Sequence, residues 1–227
     1  MEAPGGTQID FCASRALIFL QGERHAMEKI IITIGRQFGS GGKEVGKKVA
    51  KELGVPFYDK ELLAVAAKES GLNAQFLEDY DEKPTNSLLY SIVMGQSHML
   101  MNGNGHISVE QMASRAQREA VFCVAAKGSC VIVGRCADYI LRGKENLLRV
   151  FISAEDEERI ERISKRDQLT RERAADKMRR MDKARKSYYS FNSDGDWGEA
   201  ANYDLCINIS KYGVDNAVQC ILSMIGK

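Results

Sequence analysis

Five short apolar runs punctuate the chain: Ile30–Ile34, Val55–Tyr58, Cys130–Val133, Leu147–Ile152 and Leu205–Ile209. Each is rich in β-branched residues and bounded by turn formers or charges, so each reads as a strand. The runs are apolar nearly throughout rather than alternating, as in strands covered on both faces. Between them the period becomes helical. Val45, Val49 and Leu53 recur every four residues after the first run, and Met112, Ala116, Ala120 and Val124 do the same before the third. Ile160 and Ile163 mark a charged helix after the fourth. Strands alternating with helices predict an α/β fold with a parallel sheet.

Three stretches depart from that pattern. Residues 81–109 hold Pro84, Asn86 and the cluster Asn102-Gly103-Asn104-Gly105, which reads as a flexible loop or a mobile helical insertion. The densely basic run Arg159–Arg185 is helical in composition and ends in Tyr188, Tyr189 and Phe191. A loop over 192–202, with Gly195, Trp197 and Gly198, follows it. Met1 to Ala26 mixes Gly, Pro and polar residues around one apolar run, Ala16–Leu20, too short and irregularly flanked for a signal peptide. Residues 1–26 are expected to be a loosely structured extension, with a packed N-terminal helix as the alternative, and the compact domain to begin near Met27.

Composition narrows the function. The 227 residues suit one domain, and a net charge of +1 gives no bulk electrostatic case for nucleic acid or a membrane surface. Any positive site must be local. The six cysteines, Cys12, Cys123, Cys130, Cys136, Cys206 and Cys220, form no C-x-x-C pair and read as buried free thiols, which fits a reducing cytoplasm. No apolar run approaches the ~20 residues needed to span a bilayer.

The chemistry concentrates after the first strand. Gly35-Arg36-Gln37-Phe38-Gly39-Ser40-Gly41-Gly42-Lys43-Glu44 places four glycines between a strand and an amphipathic helix. Glycines let successive backbone N–H groups turn inward, and the helix N-terminus adds partial positive charge, so Gly35 and Gly39 to Glu44 are expected to grip a polyphosphate. Lys43 adds a point charge. A tight strand–helix turn without ligand is the alternative. The spelling departs from G-x-x-x-x-G-K-[ST]. With Gly42-Lys43 as the G-K pair, the first glycine position is Gln37 and the magnesium-binding hydroxyl position is Glu44. Magnesium is then left to Ser40, Glu44 or water.

Further motifs occur in order along the chain, and with them it resembles the cytidylate kinase-like proteins of the P-loop nucleoside monophosphate kinase group, from about Met27 to the C-terminus. The loop is similar to that family's G-x-x-G-S-G-K-G-T with one inserted residue: Gly39-Ser40-Gly41 matches G-S-G, Gly42 takes the Lys position and Glu44 the Thr position. Val133-Gly134-Arg135 resembles the G-R-D segment, with Cys136 in place of the Asp and Asp138 the nearest carboxylate. Residues 148–159 resemble its strand and acidic helix opening, and Asp182-Lys183-Ala184-Arg185 matches the D-x-x-R spacing of its lid.

The resemblance implies a three-layer P-loop NTPase fold on a five-stranded parallel sheet, with an acceptor-binding insertion over about 81–109 and a helical lid over about 165–200. It implies transfer of the ATP γ-phosphoryl to a nucleoside monophosphate with Mg2+, CMP or dCMP being the first acceptor to try. Lys43, Arg179 and Arg185 are the expected catalytic cations, since phosphoryl transfer rests on positioning and charge neutralisation. Asp59, Arg115, Arg135 and Asp138 are the expected acceptor-binding residues. Asp59 has an N-cap reading beside the functional one, Arg135 a salt-bridge reading, and Arg115 and Arg118 a solvated-face reading. A kinase for another small metabolite and a nucleotide-binding regulatory protein without catalysis are the rival functions.

Overall fold

The computed structural model describes residues 29–59 and 109–226. Its elements are β1 (Ile31–Arg36), α1 (Gly42–Leu53), β2 (Phe57–Tyr58), α2 (Val109–Lys127), β3 (Cys130–Val133), α3 (Ala137–Ile140), β4 (Leu147–Ser153), α4 (Asp156–Asp167), α5 (Arg171–Asn192), β5 (Leu205–Asn208) and α6 (Ile209–Met224). The strands form one parallel sheet in the order β2-β3-β1-β4-β5.

Alternation along β1 divides the core. Ile32 and Ile34 face α1 and α6 and pack with Val45, Val49, Val218 and Ile221. Ile31 faces the other way, against Val121, Val124 and Leu141 of α2 and the α3 region. Helices therefore cover both faces, which is why the strand sequences are apolar throughout. The parallel α/β arrangement and its five strands are as the sequence predicts.

The differences have local causes. β1 runs two residues past Ile34, because Gly35 and Arg36 stay in register with Phe151 and Ile152. β2 keeps only Phe57 and Tyr58: the Val55 N–H bonds back to the Ala50 carbonyl at the end of α1, and Pro56 has no N–H to give the ladder. The basic run is two helices, broken where Gln168 turns left-handed (φ 53°) and Thr170 caps α5 by accepting from the Arg173 N–H. α5 extends through Asn192, so the following loop starts one residue later than expected and ends in a 3-10 turn, Ala200–Asn202. α6 is additional, its apolar period hidden by a non-helical Gly213.

The thiols are also less uniform than expected. Cys130 and Cys136 are buried, Cys123 is half-buried, and Cys206 and Cys220 are exposed; all five are free. Cys12, the extension 1–26 and the insertion 81–109 lie outside the described residues, apart from Val109, which opens α2. Among the described residues no helix is long and apolar enough to cross a membrane.

Candidate active site

β1 delivers the glycine loop to the C-terminal edge of the sheet, between its neighbours β3 and β4. Ligands of open α/β sheets bind at that kind of crevice. The Ser40 N–H bonds the Gln37 carbonyl at 3.3 Å to close the turn. Gly41, left-handed at φ 84°, is the N-cap of α1 and offers no side-chain cap to its first amides. A Cβ on Gly42 would stand 2.6 Å from the Arg36 Cβ. The backbone is thus pressed close to its own strand, with amides and the helix N-terminus forming an anion cradle. The Ser40 hydroxyl lies beneath the loop, buried and without a hydrogen-bond partner among the described residues.

Charges collect at the mouth of this cradle. Asp59, 5% exposed at the end of β2, accepts from Lys43 at 2.6 Å and lies 3.8 Å from the Arg36 guanidinium. Burial alone would raise its pKa. The Lys43 hydrogen bond and the charges of Arg36, Lys43 and Arg135 outweigh that and hold the carboxyl below its ordinary value. Lys43 keeps about half of its side chain in solvent (49%) while its ammonium is held by Asp59.

Arg135 follows β3 in a left-handed conformation (φ 63°), and so does Cys136 (φ 52°). Such backbone costs about 1–3 kcal/mol per non-glycine residue and collects at functional sites. Here it turns the Arg135 side chain inward to 6% exposure. Burial, with the Arg36 charge beside it, pushes its pKa down to about 10, so it remains a cation at neutral pH.

Arg36, Arg135 and Arg185 line one crevice with Asp138, Tyr189 and Trp197. Burial raises the pKa of Asp138, which accepts from the Tyr189 hydroxyl at 2.7 Å. Past Asp138 and Tyr189 a cavity of about 200 Å³ is bounded by Arg142, Arg149 and Asn202.

α4 and α5 close the loop from the other side. The Phe38 N–H donates to Asp182 at 2.7 Å, and Arg159, 3% exposed, donates to the Phe38 carbonyl at 2.9 Å and pairs with Asp182. Arg185 donates to the Arg36 carbonyl at 3.1 Å. Glu44 is half-exposed, 3.8 Å from Lys48 and 3.6 Å from Arg162, whose guanidinium lies over Gly41.

The structure therefore brings together the loop glycines, Ser40, Lys43, Asp59, Arg135, Asp138 and Arg185. It places Arg179 on the outer side of α5, paired with Asp176, and Arg115 in a solvated pair with Glu119 on α2. Sequence reasoning missed Arg36, Arg159 and the backbone of Phe38. The available signal was the loop itself: Arg36 and Phe38 are large residues inside an otherwise glycine-rich turn, and such residues need something to pack against.

A five-stranded parallel sheet, a glycine cradle after its central strand and arginines converging on that cradle define a P-loop kinase fold. The chain belongs to the cytidylate kinase-like family, whose sequence model matches residues 31–211. It is 25% identical over 199 residues to a cytidylate kinase from Pyrococcus horikoshii, covering 87% of this chain and 89% of that one. It is 27% identical over 203 residues to a cytidylate kinase from Methanocaldococcus jannaschii, covering 86% and 97%. An uncharacterized protein from Eubacterium ventriosum is similar in structure, with a TM-score of 0.64 and 31% identity over 88% of this chain and 99% of that one.

Proposed function

We propose that the protein transfers the terminal phosphoryl group of ATP to a nucleoside monophosphate, CMP or dCMP first among them, in a reducing, cytoplasmic setting that its free thiols suit. The observation that carries this reading is the Lys43–Asp59 contact within reach of Arg36 and Arg135. It joins the donor cradle to the end of β2, so two phosphorylated ligands would meet across it. The backbone amides from Gly39 to Lys43 hold the donor phosphates. Arg135, with Arg36 beside it, holds the acceptor phosphate; bidentate guanidinium forks suit that group. The acceptor phosphate oxygen attacks, and the bond from phosphorus to the ADP oxygen breaks. That nucleophile needs no general base, so the residues act by alignment and charge. Asp138 and Tyr189 line the far end of the acceptor crevice.

Magnesium takes one or two oxygen side chains together with phosphates and water rather than an all-protein cage. The site fits that demand. The Ser40 hydroxyl is an orphaned oxygen under the loop, and the Glu44 carboxylate stands in the first turn of α1. Those two residues would hold the ion, which supplies neutralisation of phosphate charge.

Incubation with MgATP and a panel of monophosphates, followed by ADP release, tests the reading. Turnover with a pyrimidine monophosphate is expected, and Lys43→Ala is expected to lower kcat by about 100-fold. No ADP from any acceptor would refute it. A second reading, nucleotide binding without transfer, draws on Glu44 at the hydroxyl position. It predicts ADP binding by calorimetry with no turnover.

A further inference from the structure

The glycine loop contains one bulky apolar residue, Phe38, and four side chains from α4 and α5 converge on it. Its N–H is bound by Asp182 and its carbonyl by Arg159, and these two side chains also pair with each other. Two guanidiniums lie over its ring, Arg166 at 4.9 Å and Arg185 at 5.3 Å from the ring centroid. It also packs on the small cluster of Ile163, Ala174 and Met178, the apolar core of the α4–α5 pair. That pair packs chiefly on itself, apart from the two cores that hold the sheet. Phe38 is where the phosphate loop enters it.

We infer that Phe38 is a positioning residue that latches the phosphate cradle to α4 and α5. A cation over an aromatic face is attracted by the ring, and that attraction fixes the direction of the Arg185 guanidinium. The same guanidinium donates to the Arg36 carbonyl, one residue before the loop turns. Displacement of the loop by a polyphosphate is therefore passed to Arg185 through the Phe38 ring and the Arg36 carbonyl, and to α4 and α5 through the bonds of Phe38 to Arg159 and Asp182.

The kinetic arm of the test rests on the kinase reading; the exchange arm does not. Phe38→Leu keeps apolar bulk and removes the ring face, and Phe38→Tyr keeps the face. In Phe38→Leu, kcat is expected to fall about tenfold, the dissociation constant for MgADP by calorimetry to change less than about threefold, and Phe38→Tyr to restore kcat. Hydrogen exchange is expected to show MgADP protecting amides over 159–185 in the wild type and in Phe38→Tyr, and failing to do so in Phe38→Leu despite bound nucleotide. Wild-type kcat in Phe38→Leu, or equal losses of kcat and MgADP affinity, overturns the latch. Should the wild type show no turnover at all, the kinase reading fails, and equal protection of 159–185 in wild type and Phe38→Leu is the result that would overturn the latch.

Discussion

The two sides of α5 differ in what their charges face. On the inner side, Asp182 holds the phosphate loop, Arg185 reaches the Arg36 carbonyl, and Tyr189 bonds a buried carboxyl. On the outer side, Arg173, Asp176, Lys177, Arg179 and Arg180 border an open groove, and Arg179 is spent on Asp176 in solvent. Both sides carry arginine and aspartate. What separates them is the partner: distant backbone and buried side chains on one side, and on the other near neighbours, water and, for Lys177, Asp167 of α4. A charge on the inner side fixes tertiary structure, whereas one on the outer side is screened.

The contrast is sharpest for the two aspartates. Asp182→Ala would leave Arg159, 3% exposed, with the exposed Asp156 as its remaining carboxylate partner, and the Phe38 N–H without its acceptor. Removing one member of a fully buried pair typically costs about 3–5 kcal/mol, an upper bound here because Asp182 is half-buried and Arg159 keeps Asp156, whereas an exposed pair such as Asp176–Arg179 contributes ~0–1 kcal/mol. Urea denaturation is expected to show a large loss for Asp182→Ala and almost none for Asp176→Ala. Equal losses would mean that the inner contact is no firmer than the outer one.

The arginines separate next, in rate rather than stability. Arg185→Ala removes a cation from the crevice proposed for the acceptor and is expected to lower kcat about 100-fold, the loss typical for one preorganised group that meets transition-state charge. Arg179→Ala is expected to change kcat less than about threefold, in line with a solvated pair. A large loss at Arg179 would require α5 to turn its outer side inward during turnover.

Sequence carried the strands, the glycine loop and the end of β3 because each is written in adjacent residues. Ile31 to Arg36 followed by clustered glycines fixes strand, turn and helix without distant information. Arg179 and Arg185 could not be separated in that way. The inner side of α5 is marked by Ala174, Met178 and Tyr189, with Ala184 buried off that line, a stripe too thin to stand out in a helix this charged. Followed through at 3.6 residues per turn, that stripe does put Asp182 and Arg185 on the inner side and Arg179 away from it. The role of Asp182 stayed hidden because the backbone that it holds lies 144 residues earlier. The left-handed turn at Arg135 and Cys136 was equally hidden, since neither residue type calls for positive φ.

The smallest effect belongs to the inner contact between Tyr189 and Asp138. Burial raises the Asp138 pKa in the folded chain above its value in the unfolded one, despite the Tyr189 hydrogen bond. The folded state therefore holds the proton more tightly, and stability falls as pH rises from the ordinary carboxylate range through the raised pKa. Above that pKa the whole penalty of a buried carboxylate is present. Asp138→Asn keeps an acceptor for the Tyr189 hydroxyl and removes the ionisation. It is expected to raise the melting temperature at neutral pH by about 2–4 °C, and to give no gain at a pH below the ordinary carboxylate range, where the wild-type group is protonated in both states. A gain for Asp138→Asn that is the same at both pH values would mean that packing, and not the buried charge, sets the cost at this position.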